Sequence, residues 1–121
     1  MTSVNPQSKS NYEENFPEDC ELVQSWFKSD DDGNPMGGFT EGPGFHIDWQ
    51  NGVVTSAEAI NGANVVDILE AVRQRMEFFN EGKFRCRQNS LAITHIEEAM
   101  HWCQARITDR KNRGVLSTMK P

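Results

Sequence analysis

Apolar and polar positions divide the chain into a polar first third and a more apolar remainder. Of its 25 Leu, Ile, Val and Phe residues, six lie in residues 1–44 and nineteen in residues 45–121. Glycine and proline recur through residues 33–44, a composition typical of turns and loops. We therefore predict an acidic, Gly- and Pro-containing N-terminal arm or irregular segment over residues 1–44, with a short element at about residues 22–28, and a folded domain over residues 45–121.

A β-hairpin is predicted at the start of the folded domain. Residues 45–50 alternate strictly between apolar and polar side chains and are followed by Asn-Gly at 51–52. Alternation indicates a half-buried strand, and Asn-Gly supplies the positive φ angles of a tight hairpin turn, so the second strand would begin at residues 53–54. Because two strands alone are marginally stable in water, their apolar face must pack on the helices that follow. That face comprises Phe45, Ile47 and Trp49.

The first of two helices is predicted between Val65 and Phe79, where apolar residues recur at helical spacing. Asn64 and Asp67, three residues apart, resemble a capping box that satisfies the amides of the first turn. Gly82 follows Asn80 and Glu81 and suits a left-handed C-terminal cap.

The second predicted helix is longer, from about residue 87 to residue 113, and Gly114 ends it. At about 1.5 Å per residue the helices span roughly 24 and 40 Å, so about 16 Å of the longer one lacks a partner within an antiparallel hairpin. So small a fold has little interior, and other copies of the chain are the expected cover for Ile107 and its neighbours. The predicted fold is α+β and homo-oligomeric, with a small antiparallel β-hairpin or sheet packed on a long antiparallel two-helix hairpin. The apolar stripe of the second helix comprises Ala92, Ile96, Ala99, Met100, Cys103 and Ile107.

Composition excludes several classes of protein. No apolar stretch approaches the ~20 residues that span a bilayer, and the N-terminus lacks the apolar core of a signal peptide, so we expect a soluble intracellular protein. Three cysteines without a CxxC pair argue against a disulfide framework. A zinc site made of two Cys and two His residues is conceivable, but the spacing of these residues matches no known ligand pattern, so we expect free thiols and no metal. These residues are Cys86, His95, His101 and Cys103.

Catalysis is not indicated, and no cofactor is expected. His95 and His101 lie six residues apart on one helix, about 240° around it, and cannot converge within one chain. Glu97 and Glu98 are adjacent and diverge. The glycines cluster in an acidic loop without a following amphipathic helix, unlike a phosphate-binding or dinucleotide-binding loop.

The basic end of the second helix is the stronger candidate for chemistry. The net charge is −6, but residues 83–121 hold eight bases and three acids, a balance of +5. At 100° per residue Arg110 lies about 30° from the centre of the apolar stripe, Arg106 about 70° and Asn89 about 30°. A fork of guanidinium donors can hold phosphate, and an amide can read a base edge. Alternatively, these side chains complement the helix dipole or extend to solvent.

The same residues carry a resemblance that covers positions 44–118. The runs GFHIDWQ at 44–50, NGA at 61–63, RMEFF at 75–79 and NSLAITHIEEAMHW at 89–102, with the Arg-rich ending, resemble the phage hairpin-domain family of immune-signal sponges. That family includes the anti-Thoeris and anti-CBASS proteins. The resemblance implies an oligomer, of dimers built into a hexamer, that binds cyclic nucleotide second messengers in the host bacterial cytoplasm without cleaving them. The implied ligands are cyclic ADP-ribose isomers and cyclic di- or trinucleotides.

The resemblance also implies a set of ligand-binding residues. Phe79 would stack on adenine, Asn89 would make a polar contact to the base, and Arg106 would bind the phosphates, although periodicity equally allows Phe79 a packing role. Asn89 and Arg106 are 17 residues apart, roughly 25 Å along one helix, so a single ligand that contacts both must lie between two chains. Weaker additions are Arg110, Arg113 and Thr118.

Two other functions stay open at this point. A small nucleic-acid-binding regulator would use the basic end of the second helix, although the overall acidity and the lack of a recognition-helix turn argue against it. An interaction protein would instead dock its apolar helix stripe on a different protein.

Overall fold

The computed structural model describes residues 22–121, which form two compact units. One unit holds residues 22–52 and 58–62, and the other holds residues 53–57 and 63–121. The first contains a three-stranded antiparallel sheet, and the second contains two helices. The elements are β1 (Gln24–Ser29), β2 (Pro35–Gly42), β3 (Phe45–Asp48), a 3₁₀ turn (Ala57–Ala59), α1 (Val65–Glu81) and α2 (Arg87–Asn112).

The strand order β1-β2-β3 corrects two sequence-based expectations. β3 forms as predicted, but it pairs with β2, with Phe45 opposite Gly42. Pro43 and Gly44 make the connection, and Gly44 has a φ of 83°, the pattern of a type II turn. Residues 22–44, which we expected to be irregular apart from one short element, hold two strands, of which β1 matches the element predicted near residues 22–28. The division into an arm (1–44) and a domain (45–121) stays a prediction, and residues 1–21 lie outside the described residues.

The predicted turn at Asn51-Gly52 is wrong because a side chain ten residues away binds the backbone of Asn51. The side chain of Asn61 accepts a hydrogen bond from the amide of Asn51 at 2.9 Å and donates to its carbonyl at 3.0 Å. Both backbone groups of Asn51 are therefore satisfied within a loop and have no need of a facing strand. Gln50 supports this loop by donating to the carbonyl of Ala59 and accepting from the amide of Asn61. Residues 53–54 accordingly form no strand.

A small polar cluster lies on one face of the sheet. Thr40 in β2 is buried, and its hydroxyl bonds to the indole of Trp49 and the hydroxyl of Ser25, each at 2.7 Å. The opposite face carries stacked rings, with Trp26 5.5 Å from Phe39 between centroids. The hydroxyl of Thr40 thus links β1 to β2 and to the residue that follows β3, and the packing of this sheet on the helices stays a prediction.

Helix α1 begins as predicted and ends differently. The side chain of Asn64 accepts a hydrogen bond from the amide of Asp67 at 2.9 Å and donates to its carboxylate at 2.7 Å, which satisfies one free amide of the first turn. The helix ends at Glu81. Gly82 has a φ of −107°, so the predicted left-handed cap is wrong.

Helix α2 matches its prediction closely, but its packed positions differ from the predicted stripe. It runs from Arg87 to Asn112, and Gly114 follows with a φ of 73°. Within residues 22–121 Ile93 is the only buried hydrophobic residue, at 7% exposure, and it was not in the predicted stripe. Ala99, which was, is exposed. A hairpin with one buried hydrophobic residue has almost no interior. The prediction of self-association was based on such a small interior.

The end of α2 receives part of its cover from the same chain. Residues 113–121 fold back, and the guanidinium of Arg110 donates to the carbonyls of Val115 and Thr118 at 2.9 and 3.0 Å. The hydroxyl of Ser117 also donates to the carbonyl of Val54. Ile107 keeps 37% exposure. Neither helix of the described chain is long and apolar enough to cross a membrane.

Candidate functional site

The helical unit carries two open grooves at opposite ends of the hairpin. The first, which we call the turn groove, has a volume of about 460 Å³ and surrounds the connection between α1 and α2. The second, which we call the Arg106 groove, has a volume of about 730 Å³ and lies between the start of α1 and the later part of α2. Both volumes fall within the range of small-molecule sites. The turn groove is lined by Phe78, Phe79, Glu81, Gly82, Lys83 and Phe84; the Arg106 groove is lined by Asn64, Val65, Val66, Asp67, Trp102, Cys103, Arg106 and Ile107.

Three phenylalanines line the turn groove and remain accessible. Phe79 is 40% exposed, and Phe78 and Phe84 are more exposed still. The rings of Phe78 and Phe79 lie 6.1 Å apart and are tilted by 55°. Phe79 is therefore not enclosed in a core, and its ring can take part in a stacking contact.

Positive charge accompanies these rings. The guanidinium carbon of Arg75 lies 4.7 Å from the centre of the Phe79 ring, and the ammonium of Lys83 lies 5.3 Å from the centre of the Phe84 ring. Such distances are those of cation–π contacts. Exposed aromatic faces next to cations suit a ligand that combines a flat ring with negative charge.

Asn80 holds the turn in shape. Its side-chain oxygen accepts from the amide of Cys86 at 3.1 Å, and its side-chain nitrogen donates to the hydroxyl of Ser90 at 3.0 Å. Its carbonyl accepts from the guanidinium of Arg85. The residue that caps the start of α2 thus receives a partner from the end of α1, which ties the two helices together at the turn groove.

Asn89 lies in the first turn of α2 and is connected to the same turn. Its side-chain amide donates to the carbonyl of Phe84 at 3.1 Å. The structure therefore brings Phe79, Phe84 and Asn89 to one end of the hairpin.

Arg106 lies at the other end, in the Arg106 groove. Its side chain is 57% exposed, and its contact with Asp109 is long, at 3.9 Å. A guanidinium held so loosely is available for another anion. The first turn of α1 borders the same groove, and its amides add partial positive charge.

The two grooves cannot serve one small ligand within one chain. Asn89 and Arg106 both belong to the continuous helix α2, so the 17 residues between them correspond to about 25 Å at 1.5 Å per residue. The separation expected from the sequence is thereby confirmed.

The other three residues of the predicted set are gathered on the C-terminal tail. The guanidinium of Arg110 donates to four backbone carbonyls between residues 115 and 121. Arg113 donates to Asp109 at 3.0 Å and to the carbonyl of Pro121, and the hydroxyl of Thr118 donates to the carbonyl of Val115. In this arrangement their donors are engaged within the chain, and their contact with a ligand stays a prediction.

Two carboxyl groups with lowered pKa values are not among the residues that line the two grooves. Hydrogen bonds from Arg73 and then Gln74 lower the pKa of Glu70 to about 2. A hydrogen bond from the side chain of Asn34 lowers the pKa of Asp30 in the β1–β2 loop. Within residues 22–121 no three His, Cys, Asp or Glu side chains cluster as metal ligands would.

Sequence reasoning missed several residues at the grooves. Phe84 and Lys83 were outside every predicted set, although an aromatic residue next to a lysine in a helix connection is a readable signal. Arg75 was also missed, and the signal was its spacing of three and four residues from Phe78 and Phe79, which brings side chains together on one helix face.

Comparison with known proteins identifies the family. The model of the "Acb2/Tad1, hairpin domain" matches residues 41–108, more than half of the chain. The chain belongs to the Acb2/Tad1 hairpin-domain family. The matched segment of this Acb2/Tad1 chain covers α1 and most of α2 and includes Phe79, Asn89 and Arg106.

A curated relative agrees with that assignment. Over 72 residues the chain is 39% identical to Thoeris anti-defense 1 of Bacillus phage SBSphiJ7, a match that covers 60% of this chain and 50% of the relative. The chain thus spans about half the length of the curated relative it matches. The family predicted from the sequence motifs is confirmed.

Proposed function

We propose that this protein acts against bacterial immune signalling by binding and sequestering a cyclic nucleotide second messenger without cleaving it. The carrying observation is the arrangement of two grooves at opposite ends of the helical hairpin, with exposed aromatic rings and the nearby amide of Asn89 at one end and a loosely held guanidinium at the other. Membership of the Acb2/Tad1 family and the identity to a Thoeris anti-defense protein support the proposal. The ligands expected are cyclic ADP-ribose isomers, with cyclic di- and trinucleotides as further members of the class, and the place of action is the host bacterial cytoplasm.

The turn groove and the neighbouring Asn89 supply the contacts that a nucleobase needs. The accessible ring of Phe79 offers a stacking surface, and base–aromatic stacking contributes about 1–3 kcal/mol per base. Asn89 uses one of its N–H groups on Phe84, and its amide has a further donor and an acceptor with which to read a base edge.

The Arg106 groove supplies the contact for phosphate. The planar guanidinium of Arg106 can form two parallel hydrogen bonds to a phosphate. Its long contact with Asp109 is a weak competitor. These groups bind charge and flat rings, and sequestration requires no general base or nucleophile.

Each pocket is proposed to form between two chains. Because about 25 Å separates Asn89 from Arg106 on α2, an antiparallel pair of α2 helices would bring Asn89 of one chain to Arg106 of the other and create two equivalent pockets. The single buried hydrophobic residue of the described chain and the exposed indole of Trp102 also favour self-association. Dimers that assemble further into a hexamer are the proposed form.

Arg110, Arg113 and Thr118 are proposed as secondary contacts. Their present partners are carbonyls of the tail and Asp109. They reach a ligand only if the tail rearranges, so their substitution is expected to reduce affinity less than Arg106→Ala does.

The test is a binding screen that recovers the ligand. Purified protein is titrated by calorimetry with cyclic ADP-ribose isomers, cyclic dinucleotides and cyclic trinucleotides, and each complex is then heat-denatured and its small molecule analysed by mass spectrometry. We expect at least one tight ligand, recovered intact. Arg106→Ala should abolish the binding while the assembly keeps its mass in light scattering.

Asp109→Asn is the matched control for Arg106→Ala. It removes the carboxylate next to Arg106 and leaves the guanidinium of Arg106 in place, so binding should persist. Recovery of a hydrolysed product would make the protein an enzyme. A monomeric mass at micromolar concentration would contradict the shared pocket.

The alternative of nucleic-acid binding by the basic end of α2 has less support. Two arginines of that end, Arg110 and Arg113, already donate to tail carbonyls, which reduces the donors available to a phosphate backbone. A gel shift at low salt separates the two functions.

A further inference from the structure

We propose that Phe84 and Lys83 are additional ligand-binding residues of the turn groove, with Phe84 as a second aromatic wall for a nucleobase and Lys83 as a cation for its phosphate. This inference rests on the proposed function, because it concerns the same ligand class. It adds two residues from the helix connection to a site whose other candidates lie on the helices themselves.

Phe84 is exposed to a degree that packing does not explain. It is 68% exposed although it lines a groove of about 460 Å³ together with Phe78 and Phe79. Phe78 and Phe79 contact each other, and no ring of the described chain stacks on Phe84. Its apolar face is therefore open on the side of the groove, where a flat ring can cover it.

The backbone of Phe84 is held in place despite this exposure. Asn89 donates to its carbonyl at 3.1 Å, and the next two residues are tied to Asn80 through the side chain of Arg85 and the amide of Cys86. Ordering the ring on binding therefore costs side-chain entropy but little backbone entropy.

Lys83 provides unpaired positive charge at the same place. Its ammonium lies 5.3 Å from the centre of the Phe84 ring, and no carboxylate among residues 22–121 lies within the 4.0 Å of an ion pair with it. The phosphate of a ligand that stacks on Phe84 would lie close to the ammonium of Lys83. The recognised class is a nucleobase with a phosphate attached.

The experiment measures dissociation constants of full-length variants for cyclic ADP-ribose and cyclic di-AMP by calorimetry, at low and high salt. The variants are Phe84→Ala, Phe84→Trp and Lys83→Met, with Arg106→Ala as the reference for lost binding. Phe27 and Lys28 in β1 give a matched control pair, since Phe27 is 72% exposed and lies outside both grooves. Thermal unfolding of each variant establishes that it folds.

Phe84→Ala should weaken binding by about 5- to 150-fold, the range of base–aromatic stacking, and Phe84→Trp should retain it. Lys83→Met should weaken binding by about 2- to 5-fold and reduce its salt dependence. Phe27→Ala and Lys28→Met should bind as the wild type does. Wild-type affinity in Phe84→Ala and Lys83→Met, with binding lost in Arg106→Ala, would overturn the inference and leave the proposed function standing. Absence of binding to the wild type across the full ligand panel would overturn both.

Discussion

Mixing two inactive variants tests whether each pocket is shared between chains. Asn89→Ala and Arg106→Ala are purified separately and then combined under conditions of subunit exchange. About 25 Å separates the two positions on α2, so neither variant alone can form an intact pocket if the ligand contacts both. A mixed dimer, however, contains one pocket with both native residues and one pocket with neither.

The expected recovery follows from random pairing. About half of the dimers are mixed, and each has one intact pocket of two, so about a quarter of all pockets should bind with wild-type affinity. Calorimetric stoichiometry measures this fraction, and native mass spectrometry of a tagged variant establishes that the subunits have exchanged.

A second mixture distinguishes shared pockets from pockets within one chain. Equal amounts of wild type and the Asn89→Ala/Arg106→Ala double variant should bind at about a quarter of the pockets if they are shared, because only wild-type dimers then have intact ones, and at about half if each chain has its own. Recovery of about half, together with no binding by the two mixed single variants after verified exchange, would refute the shared pocket.

Three further predictions concern stability. Asn64→Ala removes the cap of α1 and should cost about 1 kcal/mol, seen as a Tm lowered by roughly 4–8 °C; an unchanged Tm would contradict the role of the cap. Gly38 has a φ of 115°, and an added Cβ would overlap the carbonyl oxygen of Trp26, so Gly38→Ala should abolish the pairing of β1 with β2. The control Gly33→Ala, with nothing within 4 Å of the added Cβ, should cost only about 1 kcal/mol of backbone strain. Equal urea midpoints for the two variants would show that the close contact is not limiting. The pKa of Glu70 is lowered from 4.5 to about 2 in the folded protein, so its ionised form stabilises the fold above pH 4.5, and this contribution is lost as the pH falls toward 2. The difference in Tm between the wild type and Glu70→Gln should therefore shrink between pH 4.5 and pH 2. A difference in Tm that stays constant over that range would exclude the linkage between the ionisation of Glu70 and folding.

The helices could be predicted because their determinants are local. Asn64 and Asp67 lie three residues apart, and the apolar period of α1 lies within one segment, so neither requires knowledge of the rest of the chain. The rise of a helix is constant, and the distance between Asn89 and Arg106 therefore followed from counting residues. The family motifs likewise lay in continuous runs of sequence.

The sheet was predicted less well because its pairing is not local. Asn51-Gly52 and Pro43-Gly44 are both good turns, and the choice between them depended on the side chain of Asn61, which satisfies the backbone of Asn51 from ten residues away. No pattern within residues 45–54 contains that information.

The amino-acid sequence by itself determined two amphipathic helices, a strand in which apolar and polar side chains alternate, and the spacing of 17 positions between Asn89 and Arg106 along α2. Only the tertiary structure decided that the start of α1 and the later part of α2 together border the Arg106 groove and that Arg110 holds the C-terminal tail. The physical reason is that a helix period and a cap arise from neighbours within a few residues, whereas a groove between two helices and a folded-back tail arise where separate segments meet.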